Sequence, residues 1–213
     1  MKKFSLIVAT LNRTQEVHYL LESLINQSYK NFELIIVDQN TDNRLDSVLL
    51  PYLKILDVVH IKCESKGASH ARNKGIEIAM GEIITFPDDD CEYPHDLLSK
   101  VCDELDGSNF SGISISSHDK NGEGKIARFS KKRKIIKKFN LYKTCIEFGI
   151  FIRRSCLADV RFDHQLGVGS PTMLWSDEGP DLLLKLINQE QRFLFIPELF
   201  IYHPDPVKLY DEK

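Results

Sequence analysis

The chain has 213 residues, 42% hydrophobic and 28% charged, with a formal net charge of -3. That balance excludes a disordered chain, which would carry fewer apolar residues and a larger charge excess. It also gives no overall basic charge for binding nucleic acid.

The length suits one large α/β domain and is short for two, so residues 1–213 are read as a single domain. Residues 4–9 form an apolar run expected to be a strand buried on both faces. Residues 14–27 carry Val17, Leu20, Leu21 and Leu24 at helical spacing. A second buried strand is expected at 33–37, a short helix interrupted by Pro51 at 45–53, and a short strand at 58–61. Residues 67–80 read as a helix with Gly81 as its stop. A fourth strand over 82–86 ends at Pro87, and a helix follows over 93–105 with Pro94 in its first turn. Strand and helix alternating with short links imply a mostly parallel sheet flanked by helices. Such sheets bind ligands beyond the carboxyl ends of their strands.

The second half is less regular. Strands are expected at 111–116, 146–153 and 193–202, and a helix at 181–188 with Leu183, Leu186 and Ile187 on one face. Between them lies a polar, basic stretch with a turn at Asn121-Gly122 and a run of basic residues from Lys131 to Lys138. That run reads as a solvated face, with an anionic membrane surface as its alternative partner. The five cysteines are odd in number and none shows C-x-x-C spacing, so free thiols are expected. The apolar stretch at the N-terminus ends by Asn12, too short for a membrane span, and no small-residue cleavage site follows. The expected location is cytoplasmic.

The chemistry gathers after the expected strands. The first ends in Thr10-Leu11-Asn12-Arg13 and the second in Val37-Asp38-Gln39-Asn40. Hydroxyl, amide and helical N–H groups at the first can meet a nucleotide, and Asp38 can accept hydrogen bonds from a base or ribose. Alone the first signal is weak, since Asn12 or Thr14 can simply cap a helix, and alone the second is better explained as a turn. The third segment, 66–75, offers small residues for close approach and donors on Arg72 and Asn73. The fourth is Phe86-Pro87-Asp88-Asp89-Asp90. Three adjacent carboxylates repel one another unless a cation or water offsets them. Oxygen ligands of this kind suit Mg²⁺ or Mn²⁺.

The ordered set Thr10-x-Asn12-Arg13, Val37-Asp38, Gly67-x-x-x-Ala71-Arg72-Asn73-x-Gly75 and Phe86-x-Asp88-x-Asp90 resembles the family 2 glycosyltransferases with the GT-A fold, of the bacterial surface-polysaccharide type. The likeness is tight over the first half and loose over the second. It implies a donor half, 1–106, that binds a nucleotide-sugar and an acceptor half, 107–213. It places Thr10 and Asp38 at the nucleoside, Asn12 and Arg13 among the donor-binding residues, Arg72 and Asn73 near the nucleotide, Asp88 near the ribose and, with Asp90, as a candidate ligand of Mn²⁺ or Mg²⁺, with Asp89 between them. Gln39-Asn40 departs from the family's usual acid and glycine, and uridine is the default base. His203 near the end of the chain is a further candidate for the metal or diphosphate.

The resemblance also implies inverting transfer, with a carboxylate general base in the second half. Asp177-Glu178 precedes an amphipathic helix, and Glu178 is the first choice with Asp177 second; an acidic residue there also simply favours the helix N-terminus, which accounts for Asp181. The loop 167–170 reads as acceptor-side and able to order on donor binding. Expected partners are a nucleotide-sugar and a glycan or lipid-linked acceptor. A nucleotidyltransferase would carry a glycine-rich basic loop after the first strand, which Thr10-Leu11-Asn12-Arg13 is not. A non-catalytic GT-A-like binding module would not need the full acidic set.

Overall fold

The computed structural model describes residues 4–120 and 129–204. The turn expected at Asn121-Gly122 lies outside the described residues. The first half alternates as expected. Strand β1 (Phe4–Thr10) leads to helix α1 (Gln15–Ile25), β2 (Phe32–Asp38), the short α2 (Asp46–Leu49) and β3 (Asp57–Lys62). Then come α3 (Ala68–Ile78), β4 (Ile83–Thr85) and α4 (Leu97–Leu105). Pro94 lies just ahead of α4 rather than inside it, where its carbonyl accepts from the Leu97 N–H at 3.0 Å.

The second half supplies β5 (Gly112–His118), the two-residue β6 (Lys134–Ile135), 3₁₀ turns at Lys138–Lys143 and Glu147–Gly149, and β7 (Ile150–Arg153). Short α5 (Arg154–Leu157), α6 (Glu178–Asn188) and β8 (Phe193–Tyr202) follow. Among the described residues the eight strands form one sheet in the order β3-β2-β1-β4-β7-β5-β8-β6. The first four pair in parallel. β7 enters antiparallel to both β4 and β5, while β5 and β8 are parallel. The parallel expectation thus holds for the first half, and the second half makes the sheet mixed.

Period-two alternation divides the apolar side chains between the two faces. Leu6, Val8, Leu34 and Ile36 face α1, α2 and α4. Ile7, Ile35 and Val37 face α3 and α6. Both faces are covered, which is why β1 and β2 read as apolar runs rather than alternating patterns.

Gly81 does not end α3 in a left-handed turn; the cap is Ala79, in extended conformation. Gly81 sits against β1 instead. A Cβ there would stand 2.5 Å from the Ser5 backbone nitrogen. Its N–H donates to Ser5 Oγ at 2.7 Å and to Glu33 Oε1 at 3.0 Å. The five cysteines are all free. Among the described residues no helix is long and apolar enough to cross a membrane.

Candidate functional site

A cavity of about 810 Å³ opens beyond the carboxyl ends of β1, β2 and β4. Its floor is the acidic turn after β4, and its lining includes Arg13, Arg72, Asp88, Asp89, Asp90 and His203. The position is the one that parallel α/β sheets give to ligands.

Residue 203 reaches the acids through backbone pairing. Glu92 and Tyr202 exchange N–H···O bonds of 2.9 and 3.0 Å, which ties the end of β8 to the turn after β4. His203 then stacks flat on Phe148, with ring centroids 4.6 Å apart. Its Nδ1 lies 2.7 Å from the Pro204 carbonyl oxygen. A proton on Nδ1 would bond that oxygen and leave Nε2 as the free nitrogen facing the acids. Nε2 is 3.2 Å from Asp90 Oδ1 and 3.7 Å from Asp88 Oδ2. Ligand atoms of Asp88, Asp90 and His203 all fall within 4.8 Å of one another. Asp90 Oδ1 is buried and accepts no hydrogen bond of good geometry. Two carboxylates and one imidazole around an unsatisfied oxygen fit a hard divalent ion.

Two arginines frame this cluster. Arg13 Nη1 pairs with Asp90 Oδ2 and lies 3.3 Å from Asp89 Oδ1. Arg72 is buried and bridges two segments: Nη2 donates to Asp88 Oδ1 at 2.6 Å and Nη1 to Glu178 Oε1 at 2.8 Å. Its guanidinium stacks over the Phe162 ring at 5.6 Å. Burial opposes the Arg72 charge, but Asp88, Glu178 and Glu147 outweigh it and hold the group protonated. Burial also pushes the Asp89 carboxyl up to about 7, with Asp88 and Asp90 adding to the rise and Thr10 and Arg13 opposing it.

Several expected residues are not brought to the cavity wall. Asp38 is fully buried and saturated by its own chain. It accepts from the Asn40 N–H at 2.8 Å and Asn40 Nδ2 at 2.7 Å, and pairs with Lys62 at 2.8 Å and His60 at 3.0 Å. Asn73 spends its amide on Phe162, donating to the carbonyl and accepting from the N–H, both at 2.9 Å. Asn12 sits in the left-handed region (φ 62°), with its N–H bonded to Asn40 Oδ1 at 2.7 Å. Thr10 is buried at the end of β1. Asp177 precedes α6 in the left-handed region (φ 72°) and is exposed, outside the set of residues that line the cavity. The structure thus keeps Arg13, Arg72, Asp88, Asp89, Asp90, Glu178 and His203 from the expected set at the cavity.

Two residues that sequence reasoning passed over also line it. Gln39 is buried, and its Oε1 accepts no hydrogen bond. Glu147 starts the 3₁₀ turn beside α6, and burial together with the Asp88 and Glu178 charges pushes its carboxyl up to about 7 against the pull of Arg72. Gln39 was noticed only as a departure from a motif, and Glu147 stands in an apolar run with no local signal.

The profile of the family described as Glycosyl transferase family 2 matches residues 5–164. A Campylobacter jejuni protein named GalNAc(5)-diNAcBac-PP-undecaprenol beta-1,3-glucosyltransferase is 29% identical over 188 residues, covering 82% of this chain and 59% of its own length. The 1–349 portion of Staphylococcus aureus TarS, solved in complex with UDP, superimposes with a TM-score of 0.79 at 22% identity, covering 95% of this chain and 60% of that one. The mannosyltransferase PcManGT from Pyrobaculum calidifontis, solved with GDP-Man and Mn²⁺, gives a TM-score of 0.75 at 18% identity, covering 98% of this chain and 59% of that one. At these identities the two structures speak for the fold, which is that of the GT-A glycosyltransferases. The chain spans about six-tenths of the length of the Campylobacter protein and of PcManGT, and 36% of the longer TarS chain.

Proposed function

The chain belongs to glycosyl transferase family 2, and from that premise we propose that it moves a sugar from a nucleotide diphosphate to a glycan or lipid-linked acceptor in surface-polysaccharide synthesis, with inversion at the anomeric carbon. The observation that carries this reading is the meeting of Asp88, Asp90 and His203 at the cavity floor, between two arginines. Residues 1–106 would hold the donor and 107–213 the acceptor. The named activity of the Campylobacter relative on an undecaprenol-linked glycan supports the acceptor class.

Asp88, Asp90 and His203 would hold Mn²⁺ or Mg²⁺. When bound, the ion offsets charge gathering on the leaving diphosphate. Arg13 and Arg72 add positive charge on the same side, and Arg72 keeps Asp88 in place. The unsatisfied Gln39 Oε1 suits the N3–H of uracil, which supports a UDP-linked donor. Glu178, the base expected from sequence, is bound to Arg72, and its first role would be to orient that arginine.

The basic face would meet the membrane that carries a lipid-linked acceptor. Lys131, Lys132, Lys134, Lys137, Lys138 and Lys143 are exposed there, and Phe139 and Tyr142 project among them at 84% and 72% exposure. Lysine mixed with exposed aromatic rings suits an anionic lipid surface.

The test is nucleotide diphosphate release with Mn²⁺ from UDP-, GDP- and dTDP-sugars. Release from one donor, lost in Asp90→Ala, is the expected result. Pyrophosphate-dependent formation of a nucleoside triphosphate would show a nucleotidyltransferase instead. Neither turnover nor Mn²⁺-dependent nucleotide binding would overturn the reading.

A further inference from the structure

We propose that Glu147, not Glu178, is the residue that takes the proton from the acceptor hydroxyl. The proposal rests on the glycosyl-transfer reading of the cavity. In that reaction the acceptor oxygen forms a bond to C1 of the sugar as the bond from C1 to the diphosphate oxygen breaks. The electron pair of the broken bond leaves on the diphosphate, and the hydroxyl proton passes to a carboxylate.

That carboxylate must stand on the acceptor side and have an oxygen to spare. Asp88, Asp89 and Asp90 belong to the floor, where Arg13, Arg72 and His203 hold them. On the wall built by the second half, Glu178 is tied to Arg72 at 2.8 Å, with both side chains almost wholly buried. Taking a proton there would weaken a buried ion pair. Asp177 is exposed, and Asp181 pairs with Lys185 at 2.6 Å. Glu147 lines the same wall and forms no ion pair among the described residues.

The fold places Glu147 there by two contacts. Phe148, its neighbour, stacks on His203 and fixes the 3₁₀ turn against the floor. Gly179, the second residue of α6, lets the turn press on the helix. A Cβ at 179 would stand 2.8 Å from Glu147 Cα and 2.9 Å from its backbone nitrogen. No larger residue fits at 179 without moving Glu147. The turn therefore sits at the start of an 11-residue helix. The raised affinity of Glu147 for a proton matches a base working near neutral pH.

The test uses the full chain with Mn²⁺ and whichever sugar nucleotide the wild type cleaves from a panel of UDP-, GDP- and dTDP-sugars. Glu147→Gln is expected to lower turnover by on the order of 10²–10⁴-fold, the usual contribution of a general base. Binding of the matching nucleoside diphosphate with Mn²⁺, read by calorimetry, stays within about twofold on this account, since uniform binding does not involve the base. Sodium azide, a nucleophile that has no proton to lose, restores nucleotide release in Glu147→Ala and yields a glycosyl azide. The acid limb of the wild-type kcat profile disappears in Glu147→Gln and persists in Glu178→Gln. Turnover kept in Glu147→Gln and lost in Glu178→Gln would overturn the proposal, and so would loss of nucleotide binding in Glu147→Gln. A wild type that neither binds nor cleaves any donor would instead overturn the glycosyl-transfer reading beneath it.

Discussion

Arg72 Nη1 donates to Glu178 Oε1 at 2.8 Å across 106 positions of sequence, and both side chains are all but excluded from solvent. The pair ties α3, in the first half, to the start of α6, in the second. Its partner contact to Asp88 carries the tie on to the acidic turn.

Removing the arginine leaves the buried Glu178 without its cation and the half-buried Asp88 without its closest one. Breaking a buried pair in this way typically costs about 3–5 kcal/mol. Arg72→Met is expected to destabilise by that amount in urea unfolding. The double variant Arg72→Met/Glu178→Met is expected to lose less than the two single losses added together, because it removes the stranded charge as well. Equal and additive losses would show that the two residues do not depend on each other.

Mn²⁺ that binds the folded chain and not the unfolded one raises its stability, by about 2.7 kcal/mol at a hundredfold excess over Kd. Thermal unfolding of wild type should shift upward with Mn²⁺ and return with chelator. Asp90→Ala should show little of that shift, since Asp90 offers the unsatisfied oxygen. An unchanged shift in Asp90→Ala would place the ion elsewhere.

Burial pushes the Asp38 carboxyl up, but Lys62, Asn40 and His60 outweigh it and hold it below its ordinary value of 3.8. A carboxyl held low contributes its stabilisation fully above its unfolded pKa and loses it as pH falls through the lower folded value. Asp38→Asn is therefore expected to lower Tm at neutral pH, with the gap to wild type closing as the pH drops below 3.8. Scanning calorimetry of both proteins across that range checks the sign. A gap that widens in acid would contradict it.

Gly179→Ala drives a methyl group into the Glu147 backbone, 2.8 Å from its Cα. The atom met is main chain and cannot swing aside, so the turn must shift. Overpacking of this kind costs about 1–3 kcal/mol. Turnover should fall further than stability alone explains, with nucleotide binding retained. Comparing kcat with the denaturation midpoint separates the two effects.

Phe139 and Tyr142 stand out from a lysine-rich surface. Each lysine near an anionic bilayer contributes about 1 kcal/mol of attraction. Co-sedimentation should show binding to vesicles containing phosphatidylglycerol and none to neutral phosphatidylcholine. Phe139→Ser/Tyr142→Ser should weaken that binding, as should added salt. Equal recovery with both vesicle types would remove this face as the membrane contact.

Sequence alone determined the parallel half of the sheet and the place of its acidic turn. The reason is local: residues 4–9 and 33–37 are apolar runs, helices with an apolar face separate them, and a proline closes β4 just before Asp88. Each of those signals is complete within a dozen residues. The same is true of Arg72, which follows α3's start at a motif spacing.

Tertiary structure alone decided which polar groups stay free to act. Asp38, Asn73 and Asn12 stand at motif positions, yet folding sets donors and acceptors of other segments against them. A buried polar group must be satisfied, and whether protein or ligand does so depends on what packs beside it. Gly81 reads as a helix stop and serves as a point of close approach to β1, because the distance between two segments 76 residues apart has no trace in either one. His203 and Glu147 reach the cavity by the pairing of β8 with the post-β4 turn and by the missing side chain of Gly179. Those contacts join distant parts of the chain, so no window of sequence contains both partners.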